Sequence, residues 1–230
     1  MERKIIKTAD GSTTIYIKGW DEHYHSKHGA IQEAYHVFIR MGLDLALESE
    51  PADLRIMEIG FGTGLNAFIT LLETQPKPVS IDYTGVEGYP VAAAEWKALN
   101  YAKELQATPE QSALFERMHE EPWEAATPIT PEFALTKRKQ LFDEIEDEDA
   151  FDLIYFDAFG ARVQPELWEE AIFNRMFRAL STGGILVTYA AKGSVRRAMQ
   201  AVGFLVEKLP GPPGKREMLR AIKPDASQKS

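Results

Sequence analysis

A chain of 230 residues, 44% of them hydrophobic, is long enough for one sizeable core with or without a small appendage. Its 35 acidic and 26 basic residues leave a net charge of −9, which argues against a protein that coats nucleic acid indiscriminately but not against a local basic mouth. With no cysteine, disulfides, thiolate metal sites and a cysteine nucleophile are excluded. No apolar run reaches the roughly 18 residues of a membrane span, and the start is not a signal stretch, so a soluble cytoplasmic protein with no membrane partner is expected.

Taken in order, residues 5–17 alternate around Asp10-Gly11 and predict a small hairpin. A polar and aromatic segment, Asp21–Ala30, leads into a helix with Ile31, Ala34, Tyr35, Phe38, Ile39, Leu43 and Leu47 on its apolar side. Ile56, Met57 and Ile59 mark a strand that ends in Gly60-Phe61-Gly62-Thr63-Gly64. A helix with Leu65, Phe68, Ile69 and Leu72 inward follows. Val79–Val86 is a second strand, ending at Glu87-Gly88, and Pro90 opens a helix through Tyr101. Prolines 109, 122, 128 and 131 separate a short amphipathic piece, Gln111–Met118, from a strand at Phe133–Thr136 and a helical turn at Leu141–Ile145.

The second half is plainer. Phe151–Phe156 is a buried strand ending at Asp157, and Glu166–Leu180 a helix entered through Pro165. Gly183-Gly184 turns into a strand at Ile185–Tyr189, followed by a helix over Lys192–Val202 and strands at Phe204–Leu209 and Glu217–Ala221. The alternation predicts an α/β fold, a mostly parallel twisted sheet with helices on both faces. The bend Gly211–Gly214 is too short for a crossover helix, so one strand near the C-terminus is expected to run antiparallel. Three units follow: 1–50, the hairpin and first helix packed on the core; 51–223, the main domain; and 224–230, a disordered tail.

Ligands of such a sheet lie beyond the carboxyl ends of its strands. Glycines 60, 62 and 64 let backbone amides approach a ligand closely, and their spacing is not the dinucleotide G-x-G-x-x-G, which suits an adenosine cofactor without a pyrophosphate. Glu87 is placed to accept two hydrogen bonds from a ribose diol, and Asp157 to accept them from an amine or base edge. Phe61 and Phe159 are candidates to pack on a planar ring. His23, His25 and His28 with Glu33 fit a lid or substrate-facing loop better than a metal site, since no thiolate partner exists, and no metal is expected. Arg162, Lys192, Arg196, Arg197, Lys215 and Arg216 offer a rim for phosphates. These features alone leave open a nucleotide-dependent oxidoreductase, a methyltransferase acting on a small-molecule amine, and a non-catalytic RNA-binding protein.

Four stretches narrow the choice: MEIGFGTGLNAF at 57–68, YFDAFGARVQPELW at 155–168, GGILVTYAAKGSVRRAMQAVGF at 183–204 and LPGPPGKREML at 209–219. With DEHYHSKHGAIQEAYHVF at 21–38, they resemble the MnmD/MnmC-like tRNA methyltransferases. The resemblance implies a Rossmann-like class I fold with S-adenosyl-L-methionine as cofactor. It implies N-methylation of the 5-aminomethyl group of (2-thio)uridine at the tRNA wobble position, giving 5-methylaminomethyl-(2-thio)uridine. It places the cofactor on Glu33, Gly60, Phe61, Gly62, Gly64, Asn66, Glu87, Gly88 and Asp157, with Asp157 also the catalytic residue beside the acceptor amine. Where family members often carry Gly-Asp after the third strand, residues 135–141 read LTKRKQL, and Gln140 stands nearest the adenine position. The tRNA anticodon arm would meet His28, Phe159, Arg162, Lys192, Arg196, Arg197, Lys215 and Arg216. Long bifunctional relatives append a flavin-dependent oxidase, so this chain is expected to act as the stand-alone methyltransferase and to depend on separate enzymes for the aminomethyl group.

Overall fold

A computed structural model describes residues 2–225. Strands β1 (Arg3–Lys7) and β2 (Thr13–Ile17) form the expected hairpin, and β3 (Glu22–His23) adds a third strand to it. Asp10 fixes the turn by accepting from the Ser12 amide at 3.1 Å and the Thr8 hydroxyl at 2.6 Å. Helix α1 (Ala30–Ala34) continues without a break through a π-helical stretch, Tyr35–Leu43, into α2 (Asp44–Leu47). Val37, Phe38 and Leu43 turn inward, and Gly42 lies so close to Val187 that a Cβ there would stand 2.9 Å from it.

The main sheet is built from β4 (Asp53–Ile59), β5 (Ser80–Val86), β6 (Ala126–Thr130), β7 (Phe133–Arg138), β8 (Phe151–Phe156), β9 (Leu180–Thr188), β10 (Leu205–Pro210) and β11 (Glu217–Ile222). Their order across the sheet is β10-β11-β9-β8-β4-β5-β7-β6. Strands β9, β8, β4, β5 and β7 are parallel, and β11 runs antiparallel between β9 and β10 as expected. Alternate residues face opposite layers. Ile56, Leu153 and Tyr155 pack with residues 30–43 and α3 (Leu65–Thr74). Met57, Ile59, Ile154 and Phe156 pack with α7 (Glu170–Ala179) and α8 (Gly193–Ala201). Helix α7 alone withdraws Ile172, Phe173 and Met176 from water, each worth about 1.5–3 kcal/mol before entropy is counted.

Several expectations are corrected. Strand β6 is a second antiparallel strand, paired with β7 at the sheet edge, where Pro128 can lack an amide without breaking a ladder; the register shifts beside it. The helix expected from Pro90 through Tyr101 is two short ones, α4 (Ala93–Trp96) and α5 (Tyr101–Glu104). Asn100 divides them, because its side chain accepts from the Thr13 amide at 2.7 Å and donates to the Gly11 carbonyl at 3.0 Å. The amphipathic piece becomes α6 (Pro109–Glu120), capped by Thr108, whose hydroxyl accepts from the Gln111 amide at 3.2 Å. The helix entered through Pro165 is a 3₁₀ turn, Pro165–Trp168, followed by α7. Gly183-Gly184 does not precede a strand but lies within β9. Phe151 pairs with Leu180 and Leu153 with Ile185, so the extra residues bulge, with Gly183 at φ +80°. Of the tail expected over 224–230, residues 226–230 lie outside the described residues, whereas Pro224 is buried. No helix among the described residues is long and apolar enough to cross a membrane.

Candidate active site

The order of the sheet places the chain's two most informative loops side by side. Beyond β4, the amides of Gly60 and Phe61 both donate to the Val86 carbonyl, at 2.9 and 3.0 Å, while the Asp157 amide donates to the Ile59 carbonyl at 2.9 Å. The glycine loop is thus pinned between β5 and β8, at the point where the chain, having built β5 and β7 on one side of β4, crosses to build β8 and β9 on the other. Gly60 and Gly62 have φ of +88° and +50°. A Cβ on Gly60 would stand 2.8 Å from the Asp157 carbonyl oxygen, and one on Gly62 3.2 Å from the Tyr24 ring. Glu87 accepts from the Gly62 amide at 3.1 Å and from the Tyr89 amide at 2.8 Å.

Thr63, wholly buried, anchors the loop from below. Its hydroxyl accepts from Tyr101 at 3.1 Å and its carbonyl from His119 Nε2 at 3.2 Å. The His119 ring lies stacked on Trp96, centroids 4.6 Å apart, and burial pushes its pKa down to about 3. It stays neutral and serves as a fixed donor.

A group of carboxylates lies above the loop. Glu58, 1% exposed, accepts from Asn66 Nδ2 at 2.8 Å and from the Tyr83 hydroxyl at 2.8 Å. The same Asn66 nitrogen donates to Asp157 at 2.9 Å. Burial, and then Asp157, push Glu58 well above the carboxylate range. Asp157 is raised to about 7, chiefly by burial and then by Glu33, against the opposing effects of Asn66 and Lys215. Glu33 accepts from the Ser26 amide at 2.9 Å and pairs with Lys215 Nζ, which sits 3.8 Å from the centroid of the Tyr189 ring.

Two cavities meet here. One of 620 Å³ runs between the segment 21–27 and Asp157, and one of 650 Å³ between Trp168 and the 215–217 segment. Gly160, Arg162, Tyr189 and Lys215 line both. An acid held near neutrality at the wall of such a cleft can orient an amine and take up its proton.

Comparison with known proteins agrees with this geometry. Residues 126–224 match the family described as S-adenosyl-L-methionine-dependent methyltransferase. The chain is 29% identical over 233 residues to the tRNA 5-methylaminomethyl-2-thiouridine biosynthesis bifunctional protein MnmC of Magnetococcus marinus, covering 94% of this chain and 34% of that one. It is 30% identical over 226 residues to the protein of the same name from Ralstonia nicotianae, covering 92% and 33%. The crystal structure of MNMC2 from Aquifex aeolicus superposes with a TM-score of 0.74 at 26% identity, over 96% of this chain and 70% of that one. The chain has the Rossmann-like class I fold of S-adenosyl-L-methionine-dependent methyltransferases and is similar to the MnmC proteins over nearly all of its own length. It spans about a third of the length of the curated relatives it matches.

The cofactor of this methyltransferase is S-adenosyl-L-methionine, and the loop fits it. Asn66 Oδ1 is buried without a hydrogen-bond partner among the described residues, and the Glu87 and Asp157 carboxylates flank the loop. When bound, the cofactor supplies a methyl group activated by its sulfonium.

The structure brings together Glu33, Gly60, Gly62, Gly64, Asn66, Glu87 and Asp157, but not every predicted residue joins them. Phe61, 3% exposed, turns its ring beneath the loop against Gly85 and Trp123, so it is a core side chain. Gly88 packs against Leu141. Gln140 donates to the Glu144 carbonyl at 2.8 Å, which occupies its amide nitrogen within its own loop. Phe159 stands edge-on to Trp20 and Tyr24, and Arg162 donates to the carbonyls of Trp20 and Asp21 at 3.0 and 2.7 Å. Both therefore hold the N-terminal segment over the cleft. Lys192, Lys215 and Arg216 line the 650 Å³ cavity, whereas Arg196 and Arg197 line neither, and His28 packs against Gly214.

Sequence reasoning missed Glu58, Tyr24, His119 and Tyr189. Two had a signal. Glu58 is a lone acid inside an apolar strand directly before the glycines, and Tyr189 immediately follows a core strand. Tyr24 and His119 had none, because only tertiary contacts bring them to the loop.

Proposed function

We propose that this methyltransferase transfers a methyl group from S-adenosyl-L-methionine to the primary amine of 5-aminomethyl-(2-thio)uridine at the tRNA wobble position, yielding 5-methylaminomethyl-(2-thio)uridine. The observation that carries the reading is Asp157, a carboxylate with a pKa near 7, set between the glycine loop and an open cleft. It is supported by the names of the curated relatives, which concern 5-methylaminomethyl-2-thiouridine biosynthesis.

In this proposal Gly60, Gly62, Gly64, Asn66 and Glu87 hold the cofactor, and Glu33 stands at its edge. The acceptor nitrogen bonds to the methyl carbon as the carbon–sulfur bond breaks, and one proton leaves the nitrogen. Asp157 orients the amine and is the nearby group that can receive that proton. Most of the acceleration would come from holding nitrogen and carbon about 3–3.5 Å apart in line. The wobble base would leave the anticodon stack to enter the cleft, with Lys192 and Arg216 meeting anticodon-arm phosphates. Other enzymes would supply the aminomethyl group, and the reaction would take place in the cytoplasm.

The test is incubation with isotopically labelled S-adenosyl-L-methionine and tRNA lacking the terminal methyl, followed by nucleoside mass spectrometry. Label in 5-methylaminomethyl-(2-thio)uridine is expected. Label appearing only in added small amines, or in no product, would overturn the reading.

A further inference from the structure

We propose that Glu33 and the face of Tyr189 form a seat for a primary alkylammonium group, that Lys215 fills this seat in the ligand-free protein, and that a ligand's ammonium displaces it. Glu33 is only 7% exposed, so its charge requires a cation close by. Lys215 supplies one from 182 residues away, reaching in from the turn between β10 and β11. Its Nζ touches the carboxylate and lies 3.8 Å from the Tyr189 centroid. A carboxylate on one side and an aromatic face on the other is how proteins hold alkylammonium ions. The Tyr189 hydroxyl donates to the Ala158 carbonyl at 2.8 Å, which fixes the ring that forms the wall.

Charge counting points the same way. Glu33 and Asp157 both line the 620 Å³ cavity; of the cations that line it with them, Arg162 pairs with Glu22, whereas Lys215 pairs with Glu33 and acts on Asp157. The lysine can leave. It sits on a short turn in which Pro213 and Gly214 are exposed, and its stem is flexible and lies at the boundary of the two cavities. The contact thus imitates an ammonium ligand with a group of the protein's own.

Two groups in the reaction share this chemistry: the α-ammonium of the cofactor and the amine of the acceptor. The first arm needs only the family's cofactor. The second rests on the proposed function, so failure of tRNA to accept a methyl group would remove that arm and leave the first standing.

Calorimetry on wild type and K215M separates the sources. Displacement by the cofactor predicts that K215M binds S-adenosylhomocysteine about tenfold more tightly. Methylthioadenosine, which lacks the amino-acid moiety, should bind both proteins alike and so report intact folding. Displacement by the acceptor predicts instead that K215M tightens methylammonium binding, measured with S-adenosylhomocysteine saturating. In either case E33Q/K215M should lose the gain. Reductive methylation of wild type, read by peptide mass spectrometry, supplies the second measurement. Lys215 should become several-fold more reactive when the displacing ligand binds, opposite to the usual protection. Unchanged affinity for both probes, equal changes for S-adenosylhomocysteine and methylthioadenosine, or Lys215 reactivity that stays level or falls would each overturn the proposal.

Discussion

Asn66 and Asp157, 91 residues apart, are joined by a 2.9 Å hydrogen bond whose donor nitrogen also serves Glu58 at 2.8 Å. One amide thereby holds two carboxyl groups, that of Glu58 buried and that of Asp157 at the wall of the cleft. Asn66 comes from the first turn of α3 and is 2% exposed, so its position follows directly from the glycine turn before it.

Replacing Asn66 by Ala removes both donated bonds and leaves two acids facing each other. Loss of a shared buried donor costs about 2 kcal/mol or more, because the stranded acceptors keep their desolvation penalty. Thermal or urea unfolding of N66A should show that loss. The same variant should bind S-adenosylhomocysteine more weakly in calorimetry.

Asp157 gives the stability of the protein a pH dependence of defined sign. Its folded pKa, about 7, lies above the unfolded value near 3.8, so between these limits the native state binds the extra proton. This contribution is complete at low pH and is lost as pH rises through 7. Wild type should therefore lose about 2–3 kcal/mol between pH 5 and pH 8 that D157N keeps, as measured by urea unfolding at both values. Glu58 acts in the same direction and should leave D157N with a residual slope. In turnover assays D157N should lower kcat about ten- to a hundredfold while cofactor affinity stays within a few-fold.

Much of this site was legible in the sequence for one reason. Its glycines, Glu87 and Asp157 all follow apolar strands, and strand ends are where an open α/β sheet binds ligands. What was not legible depends on the third dimension. Glu58 sits where an alternating strand could equally face solvent, and only the packing of α3 and Tyr83 over it makes it a buried acid. No spacing rule joins Glu33 to Lys215 or His119 to Thr63. Phe61 was misassigned because an aromatic between two loop glycines is read as a ligand contact, whereas the loop's bend turns the ring under Gly85. Strand β6 was missed because Pro128 argues against a strand everywhere except at an edge.

Glu87 should prove to be a binding residue rather than a catalytic one. It bonds the amides of Gly62 and Tyr89 and touches neither Asp157 nor Asn66 among the contacts described. E87A should weaken S-adenosylhomocysteine binding about tenfold or more, equivalent to about 1.4 kcal/mol, with kcat at saturating cofactor little changed. Unaltered calorimetric affinity would remove Glu87 from the cofactor site.

Among the basic residues the cavities discriminate. Lys192 and Arg216 line the 650 Å³ cavity, while Arg197 folds back along α8, its guanidinium within 3.2 Å of where a Gly193 Cβ would lie. K192E and R216E should raise the KM for tRNA and lower the slope of log affinity against log salt by about one each. R197E should do less. Filter binding across a salt series decides the order.

The loop's support can be tested apart from its chemistry. A Cβ on Gly85 would stand 2.3 Å from Phe61 Cδ2, and the ring is held by His119 and Trp123 on its other sides, so it cannot swing away. G85A should therefore destabilise the fold by about 1–3 kcal/mol through overpacking. It should also weaken cofactor binding, because a displaced Phe61 drags the amides of residues 60–62 with it. F61L frees space at the same point, so G85A/F61L should recover part of the stability lost in G85A. F61L alone should cost stability while leaving cofactor affinity within a few-fold. A large, selective loss of cofactor affinity in F61L, with unfolding unchanged, would instead return the ring to the binding site.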